Sequence, residues 1–292
     1  MTDVVVVGGG IVGLAAAHAL ARRGAEVVLL ERSTLGHTGG SSTGTARIFC
    51  PAAYPDEAYL RDGLDALELW NEIEHAHGEP LLAWTGAVGC GAFVAAQLPD
   101  LRAHDVDFEL LDPAAVRRRF GLHLDRDDQL LYQPRAGVLR ADAARSALAG
   151  LAATEGAAIR ERCRALAIEP HGDRLGIRSE AGTIACSAAV VAAGPWTRSL
   201  LRARGEEVEL TATRQTVAFF ELPDRDPPPP AVIDYDADGP YALWDPGVGL
   251  KAALHEAGPA IDPDDGSGLL DEAALERVRK WVAATFPAAS AK

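Results

Sequence analysis

Cysteine pairs, long apolar runs and an excess of basic residues are all absent from this sequence of 292 residues. The four cysteines form no CxxC pair, and none has a histidine at the spacing of a zinc site. No apolar run approaches the ~20 residues that a helix needs to span a bilayer. We therefore expect buried free thiols in a reducing compartment, no bound metal and no membrane-spanning helix.

A secretory signal is also absent at the beginning of the sequence, where Met1-Thr2-Asp3 leads directly into an apolar run. Acidic residues outnumber basic ones, 42 to 28, and the formal net charge is −14. Such a surface is poorly suited to nucleic acid or to an anionic membrane. These features predict a cytoplasmic protein that binds neither nucleic acid nor membranes.

A glycine-rich motif follows the first apolar run. Val4 to Val7 is apolar throughout, which predicts a strand buried on both faces of a parallel sheet. Residues 8–13 read GGGIVG and satisfy GxGxxG, and a helix rich in alanine and leucine is predicted from Ile11 to Arg23. A second strand is predicted from Glu26 to Glu31, and its last acid lies 18 residues after Gly13.

Each part of this pattern suits a dinucleotide. The first glycine permits a tight turn, the second lets the backbone approach a pyrophosphate, and the third lets helix and strand pack closely. The helix N-terminus offers free N–H groups and a partial positive charge to the phosphates. Glu31 is expected to accept hydrogen bonds from ribose hydroxyls. The motif suits FAD and NAD alike, so a nicotinamide dehydrogenase is an alternative at this point.

The remaining sequence alternates between helical and extended patterns. Helices are predicted at 57–75, from Asp112 as N-cap with Pro113 in the first turn, at 140–155 and at 271–286. Strands are predicted at 86–90, 166–179, 183–192, 208–221 and 249–255. Residues 222–240 contain four consecutive prolines and suggest an exposed polyproline loop.

Six segments resemble, in the same order, the amine-oxidising flavoproteins of the sarcosine oxidase family. They are His37–Ile48 (HTGGSSTGTARI), Leu69–Glu74 (LWNEIE), Tyr132–Leu139 (YQPRAGVL), Ala193–Trp196 (AGPW), Arg214–Phe220 (RQTVAFF) and Gly249–Lys251 with His255. The resemblance favours FAD over NAD. It implies an α/β fold, in which a Rossmann-type FAD-binding domain is interleaved with an α+β substrate domain on a mixed sheet. We place the FAD-binding domain at 1–80 and 138–205, and the substrate domain at 81–137 and 206–292.

The resemblance also implies a set of site residues. The cofactor site comprises Gly8, Gly10, Ile11, Val12, Gly13, Glu31, Arg32, Ser41, Ser42, Thr43, Arg47, Ala165, Gly194 and Trp196. Lys251 occupies the position of a lysine that lies over the flavin and activates oxygen, and Arg47 lies beside the flavin ring. His255 and Tyr241 occupy substrate-pocket positions, although Tyr241 matches only with a two-residue gap. Without the resemblance, Lys251 would be interpreted as a surface lysine and His255 as a structural histidine.

The reaction that the resemblance implies has two halves. A hydride equivalent moves from a carbon next to an amine nitrogen onto the flavin, and the resulting imine hydrolyses. Oxygen then reoxidises the flavin and gives hydrogen peroxide. The substrate would be a small amine or amino acid. Two alternatives are a flavin dehydrogenase that uses another acceptor, and a truncated FAD-binding protein or subunit with little activity of its own.

The sequence departs from the family at two places. Cys50 stands three residues after Arg47, where the family carries a second arginine that holds the substrate carboxylate. The sequence also stops before the family's C-terminal quarter, which carries the cysteine that attaches FAD covalently. We therefore expect non-covalent FAD. The chain is then a fragment, an intact short relative, or half of a split enzyme whose partner chain supplies the missing C-terminal part.

Overall fold

A computed structural model describes residues 2–223, 226–236, 239–265, 268 and 270–291. Its helices are α1 (Ile11–Arg22), α2 (Glu57–His77), α3 (Phe93–Ala103), α4 (Pro113–Phe120), α5 (Ala141–Thr154), α6 (Thr197–Arg202) and α7 (Glu272–Thr285). Its first nine strands are β1 (Val4–Val7), β2 (Val27–Leu30), β3 (Ala46–Phe49), β4 (Leu82–Ala83), β5 (Ala87–Cys90), β6 (Glu109–Leu111), β7 (Leu130–Gln133), β8 (Gly137–Arg140) and β9 (Ala158–Arg160). The others are β10 (Ala165–His171), β11 (Arg174–Ser179), β12 (Gly182–Cys186), β13 (Ala188–Val191), β14 (Val217–Glu221), β15 (Ala231–Asp234), β16 (Pro240–Asp245), β17 (Gly249–Leu254) and β18 (Ser290–Ala291).

A parallel sheet with the order β13-β1-β2-β9 carries the glycine-rich motif. Both of its faces are covered, which explains the continuous apolar run. Val6 packs with Leu14 of α1 and Leu148 of α5 on one face. Val5 packs with Ile177 of the antiparallel sheet β10-β11-β12 on the other. The strand, the glycine turn and the helix thus form the predicted βαβ unit.

A mixed sheet of eight strands has the order β18-β14-β17-β16-β15-β5-β7-β6, in which β15 and β5 are parallel and the other pairs are antiparallel. One face packs on α4 and α7, because Leu250 and Ala252 belong to one core cluster with Phe120 of α4 and Val278 of α7. The opposite face carries Leu243, which packs against the small sheet β3-β8-β4. Lys251 lies between Leu250 and Ala252 in β17, so its side chain belongs to this second face.

Most predicted elements are confirmed, and Asp112 caps α4 as expected, accepting a hydrogen bond from the Ala115 N–H at 2.6 Å. The prediction of an exposed loop over 222–240 is wrong for β15, which is buried in the middle of the mixed sheet. Four residues of that range, 224, 225, 237 and 238, lie outside the described residues. The prediction of a strand over 208–221 holds only for β14, because residues 208–216 make a single bridge, between Thr213 and Ala260.

All four cysteines are buried and free, as predicted. Within the described residues, no helix has the length and apolar character that crossing a membrane requires. The same part of the chain contains no group of three or more side chains suited to hold a metal ion.

Candidate active site

A cavity of about 550 Å³ lies at the carboxyl ends of three parallel strands, β1, β2 and β13. Open α/β sheets bind ligands at this edge, and the volume is typical of a cofactor site. Twelve of the predicted cofactor residues line it: Gly8, Gly10, Ile11, Val12, Glu31, Arg32, Ser41, Ser42, Thr43, Ala165, Gly194 and Trp196. The structure therefore brings these twelve residues together around one cavity.

The glycines form a cradle that larger residues would fill. Gly8 has a φ of 110°, and a Cβ there would lie 2.3 Å from the carbonyl oxygen of Ala192. Gly13 does not line the cavity; a Cβ on it would lie 1.9 Å from the Gly8 carbonyl oxygen, so it permits close packing of helix and strand. Gly10 is the N-cap of α1 and provides no side-chain cap. The exposed helix N-terminus suits the pyrophosphate of FAD.

Glu31 holds the glycine turn in place. Its side chain is 3% exposed. Oε2 accepts a hydrogen bond from the Gly9 N–H at 2.7 Å, and Oε1 accepts one from the Ser33 N–H at 2.7 Å. A carboxylate has about four acceptor sites, so Glu31 retains capacity for the ribose hydroxyls that the sequence assigns to it.

Asp264, which no sequence motif identifies, holds two residues of the cavity wall in place. The Arg32 guanidinium lies 4.5 Å from the ring centroid of Trp196. Asp264 accepts hydrogen bonds from Arg32 at 2.9 Å and from the Trp196 indole N–H at 2.8 Å. These bonds lower the pKa of Asp264. Asp264 lies 68 residues from Trp196 along the chain, and no local motif marks it.

Arg145 is a second cavity residue that the sequence reasoning missed. It lies on the buried face of α5, is 7% exposed and lines the cavity. Nη2 forms an ion pair with Asp142, and Nε has no hydrogen-bond partner among the described residues. A buried donor without a partner is costly, and the phosphates of the cofactor would satisfy it. The only sequence signal is an arginine among the alanines of the apolar helix face.

Arg47 and Lys251 are brought together beside the cavity. Arg47 donates hydrogen bonds to the carbonyl oxygens of Ser41, at 3.0 Å, and of Thr43, both of which line the cavity. At Gly44, whose φ is 102°, a Cβ would lie 3.2 Å from Arg47 Nη1 and 3.7 Å from Lys251 Nζ. The two cations thus flank one glycine, and neither lines the cavity itself.

Burial changes the acid–base behaviour of Lys251. Its side chain is 6% exposed, and Nζ donates a hydrogen bond to the Ala46 carbonyl oxygen at 2.8 Å. Burial, and next the positive charge of Arg47, lower its pKa to about 8, against the opposing effect of Asp245 and Asp142. The ammonium form is therefore retained at neutral pH and lost in mildly alkaline solution.

Tyr241 and His255 are close neighbours at the end of the β16–β17 hairpin. Their ring centroids lie 4.9 Å apart. Tyr241 pairs with Ala253, and Leu243 pairs with Lys251, so Tyr241 and Lys251 share one sheet face. His255 lies just beyond the end of β17, so strand alternation places Tyr241, but not His255, on the same face as Lys251. Burial raises the pKa of Tyr241 and lowers that of His255, so both rings are neutral at pH 7.

Cys50 is a buried neutral group. It packs with Ala46, Ile233 and Leu243 in one apolar cluster. Burial raises the pKa of its thiol to about 12. Position 50, where the resemblance implies a carboxylate-binding arginine, therefore offers no positive charge.

Comparisons with known proteins agree with this geometry. A family described as FAD dependent oxidoreductase matches residues 3–292. The chain is 30% identical over 305 residues to the monomeric sarcosine oxidase of Bacillus sp. (strain NS-129), an alignment that covers 99% of the chain and 78% of that enzyme. It is 31% identical over 277 residues to the monomeric sarcosine oxidase of Streptomyces avermitilis, covering 90% of the chain and 72% of that enzyme.

The fold is also similar to solved structures. An open form of NikD, described as an unusual amino acid oxidase essential for nikkomycin biosynthesis, matches with a TM-score of 0.86 at 26% sequence identity. The match covers 99% of the chain and 78% of the NikD chain. The resemblance that the six sequence segments indicate is thereby confirmed, and so is the choice of FAD over NAD. The chain belongs to the family of FAD-dependent oxidoreductases.

Proposed function

We propose that the chain is an oxidase of the C–N bond of a secondary amine or amino acid, and that it produces an imine and hydrogen peroxide. The observation that carries this proposal is the buried Lys251 beside Arg47. Arg47 connects this pair to the cavity, because it donates hydrogen bonds to the carbonyl oxygens of Ser41 and Thr43, which line the cavity. Lys251 donates to the neighbouring carbonyl oxygen of Ala46. Positive charge fixed in advance, in a site from which water is excluded, stabilises negative charge that develops during a reaction.

FAD, when bound, supplies the hydride acceptance and the reaction with oxygen. The residues of this chain bind and orient it. The glycine cradle, Arg145 and Glu31 would hold its pyrophosphate and ribose, while Arg47 and Lys251 would lie toward the flavin. Lys251 holds a proton at Nζ below pH about 8, and the resulting charge favours transfer of electrons to oxygen.

Tyr241 and His255 suit the substrate side of the site. Oxidation at a carbon next to nitrogen requires the amine with its lone pair free. Two neutral rings in contact provide an apolar surface with polar edges, and they add no charge that would repel a cationic amine as it enters. The neutral thiol of Cys50 provides no carboxylate anchor. We therefore propose a substrate whose carboxylate, if it has one, is bound elsewhere.

Non-covalent attachment of FAD is part of the proposal. None of the four buried cysteines lines the cavity. Acid precipitation of the purified protein should therefore release the flavin absorption band into the supernatant. A flavin that stays in the pellet would contradict non-covalent binding, and a colourless protein that takes up no added FAD would contradict the proposed function for this chain alone.

Oxygen consumption separates the proposed oxidase from a dehydrogenase. The protein loaded with FAD is reduced anaerobically with a panel of secondary amines and amino acids, and then mixed either with oxygen or with an artificial electron acceptor. We expect fast reoxidation by oxygen, with peroxide formed in equal amount. Reoxidation that is slow in oxygen and fast with the acceptor would favour the dehydrogenase.

A further inference from the structure

Asp245 is a fully buried carboxylate at the end of β16, where it pairs with Gly249. Its exposure is 0%. Oδ2 accepts a hydrogen bond from the Thr45 hydroxyl, and Oδ1 has no hydrogen-bond partner among the described residues. Burial of an ionised carboxylate is very costly unless a cation or further donors compensate it. The buried Asp245 carboxylate therefore requires a positive charge nearby.

Lys251 supplies that charge. It lies two residues after Gly249 in β17, so the hairpin holds both side chains at one end. Thr45 and Ala46 are neighbours in the chain, and the first donates to Asp245 while the second accepts from Lys251. The ammonium group has three donors, and the protein uses one of them in the described structure. Among the described residues the two side chains form no ion pair within 4.0 Å, so Asp245 acts on Lys251 through its charge rather than through a direct bond.

Three charged groups surround Lys251, each from a different element. The positive charge of Arg47, in β3, lowers the pKa of Lys251. The negative charges of Asp142, in α5, and of Asp245, in β16, raise it. Asp142 is about half exposed and paired with Arg145, so solvent screens its effect. Asp245 is fully buried and acts where screening is weakest.

We infer that Asp245 is the counter-charge of Lys251: a carboxylate positioned by Thr45 that keeps the ammonium group protonated next to Arg47. Without it, no buried carboxylate would oppose the positive charge of Arg47, and Lys251 would lose its proton at a lower pH. Asp245 is thus a positioning residue that acts through Lys251. The importance of this charge for catalysis rests on the proposed function, but the charge itself can be measured without flavin chemistry.

The sequence makes that measurement direct, because it contains only three lysines, at positions 251, 280 and 292. Lysine labelled with ¹³C at Cε gives one NMR signal for each, and the shift of each signal follows its protonation. Lys251→Met assigns the signal of interest. Lys280, whose side chain is 76% exposed, serves as the internal reference.

Asp245→Asn should lower the titration midpoint of Lys251 by about one pH unit or more, a tenfold or greater change in its acid dissociation constant. Asp142→Asn, the matched control, should lower it by clearly less, and the Lys280 signal should not change. An unchanged midpoint in Asp245→Asn, or an equal shift in Asp142→Asn, would overturn the inference.

Two further variants guard against a fold defect. Asp245→Leu removes the same charge and suits an apolar surrounding, so it should lower the midpoint even if the asparagine variant folds poorly. Thr45→Val removes the hydroxyl that positions Asp245 but keeps the carboxylate itself, so the midpoint should fall by less than in Asp245→Asn. A fall in Thr45→Val as large as that in Asp245→Asn would indicate a structural effect and contradict the inference. If Lys251→Met reacts with oxygen as fast as the unmodified protein, the oxidase role fails while the NMR result still decides the role of Asp245.

Discussion

Lys251 and Arg47 donate hydrogen bonds to the same acceptor, the carbonyl oxygen of Ala46, at 2.8 and 2.9 Å. Lys251 comes from the mixed sheet and Arg47 from the segment that leads out of the cofactor cavity. The shared carbonyl holds two positive charges close together although they repel each other. The role of each residue can therefore be tested by a substitution that removes its positive charge.

Replacement of Lys251 by methionine should slow the reaction of the reduced flavin with oxygen by about a hundredfold, the usual effect of losing one preorganised charge. Methionine fills a similar volume, so anaerobic reduction by substrate should change much less. Stopped-flow absorbance separates the two half-reactions. Lys280→Met, at an exposed position, is the matched control and should leave both rates unchanged. If Lys251→Met left both unchanged as well, the assigned role would be wrong.

The rate of reoxidation should depend on pH through Lys251. Burial lowers the pKa of this lysine from 10.5 to about 8. The protonated form supplies the charge, so the rate should be highest below that pKa and fall by about tenfold per pH unit above it. A lysine with its ordinary pKa would keep the rate constant to above pH 10. The rate constant measured from pH 6 to 10 tests this, and Lys251→Met should show no such fall. A rate that stays nearly constant across this range in the unmodified protein would contradict the effect of burial.

Alanine at Gly13 should disrupt the cofactor site, because its Cβ would lie 1.9 Å from the Gly8 carbonyl oxygen. Relief of that overlap must separate α1 from β1 and should lower the free energy of unfolding by about 1–3 kcal/mol, with loss of FAD. Gly150, in α5, is the matched helical control, since a Cβ there meets no atom within 4 Å. Gly150→Ala should be neutral or stabilise by up to about 1 kcal/mol. Thermal unfolding and flavin content measure both, and equal behaviour of the two variants would contradict the packing role of Gly13.

The sequence predicts those parts of the site that short-range patterns encode. Val4–Val7 and the glycines that follow require a buried strand and a tight turn, because few other residues fit there. β15 is not predicted because the prolines before it suggest a loop, while its place in the middle of the sheet depends on pairing with β5, which is distant in sequence. Asp264 and Asp245 were missed for the same reason: each acts on a partner that only the folded chain brings near.

Replacement of Asp264 by asparagine should weaken FAD binding by a few-fold. The carboxylate bonds to Arg32 and to Trp196, both in the cavity wall. Because the Asp264 side chain is about half exposed, its loss should cost roughly 1 kcal/mol of the free energy of FAD binding. FAD titration followed by flavin fluorescence gives the dissociation constant. Glu169→Gln is the control, because it removes a similarly exposed carboxylate that pairs with Arg178 away from the cavity. Equal affinities in the two variants would show that Asp264 does not support the site.

Sarcosine should be a poor substrate because Cys50 offers no charge to its carboxylate. The thiol is buried, and its raised pKa of about 12 keeps it neutral. Loss of a bidentate charge-assisted contact costs about 1.5–3 kcal/mol, or roughly 10- to 100-fold in affinity. Secondary amines that lack a carboxylate next to the reacting nitrogen lose nothing by this change. Their kcat/KM, measured by peroxide release, should therefore exceed that of sarcosine. If kcat/KM for sarcosine exceeded that of the amines without a carboxylate, another cation must bind the carboxylate. Arg47 and Lys251 would then be the first residues to replace.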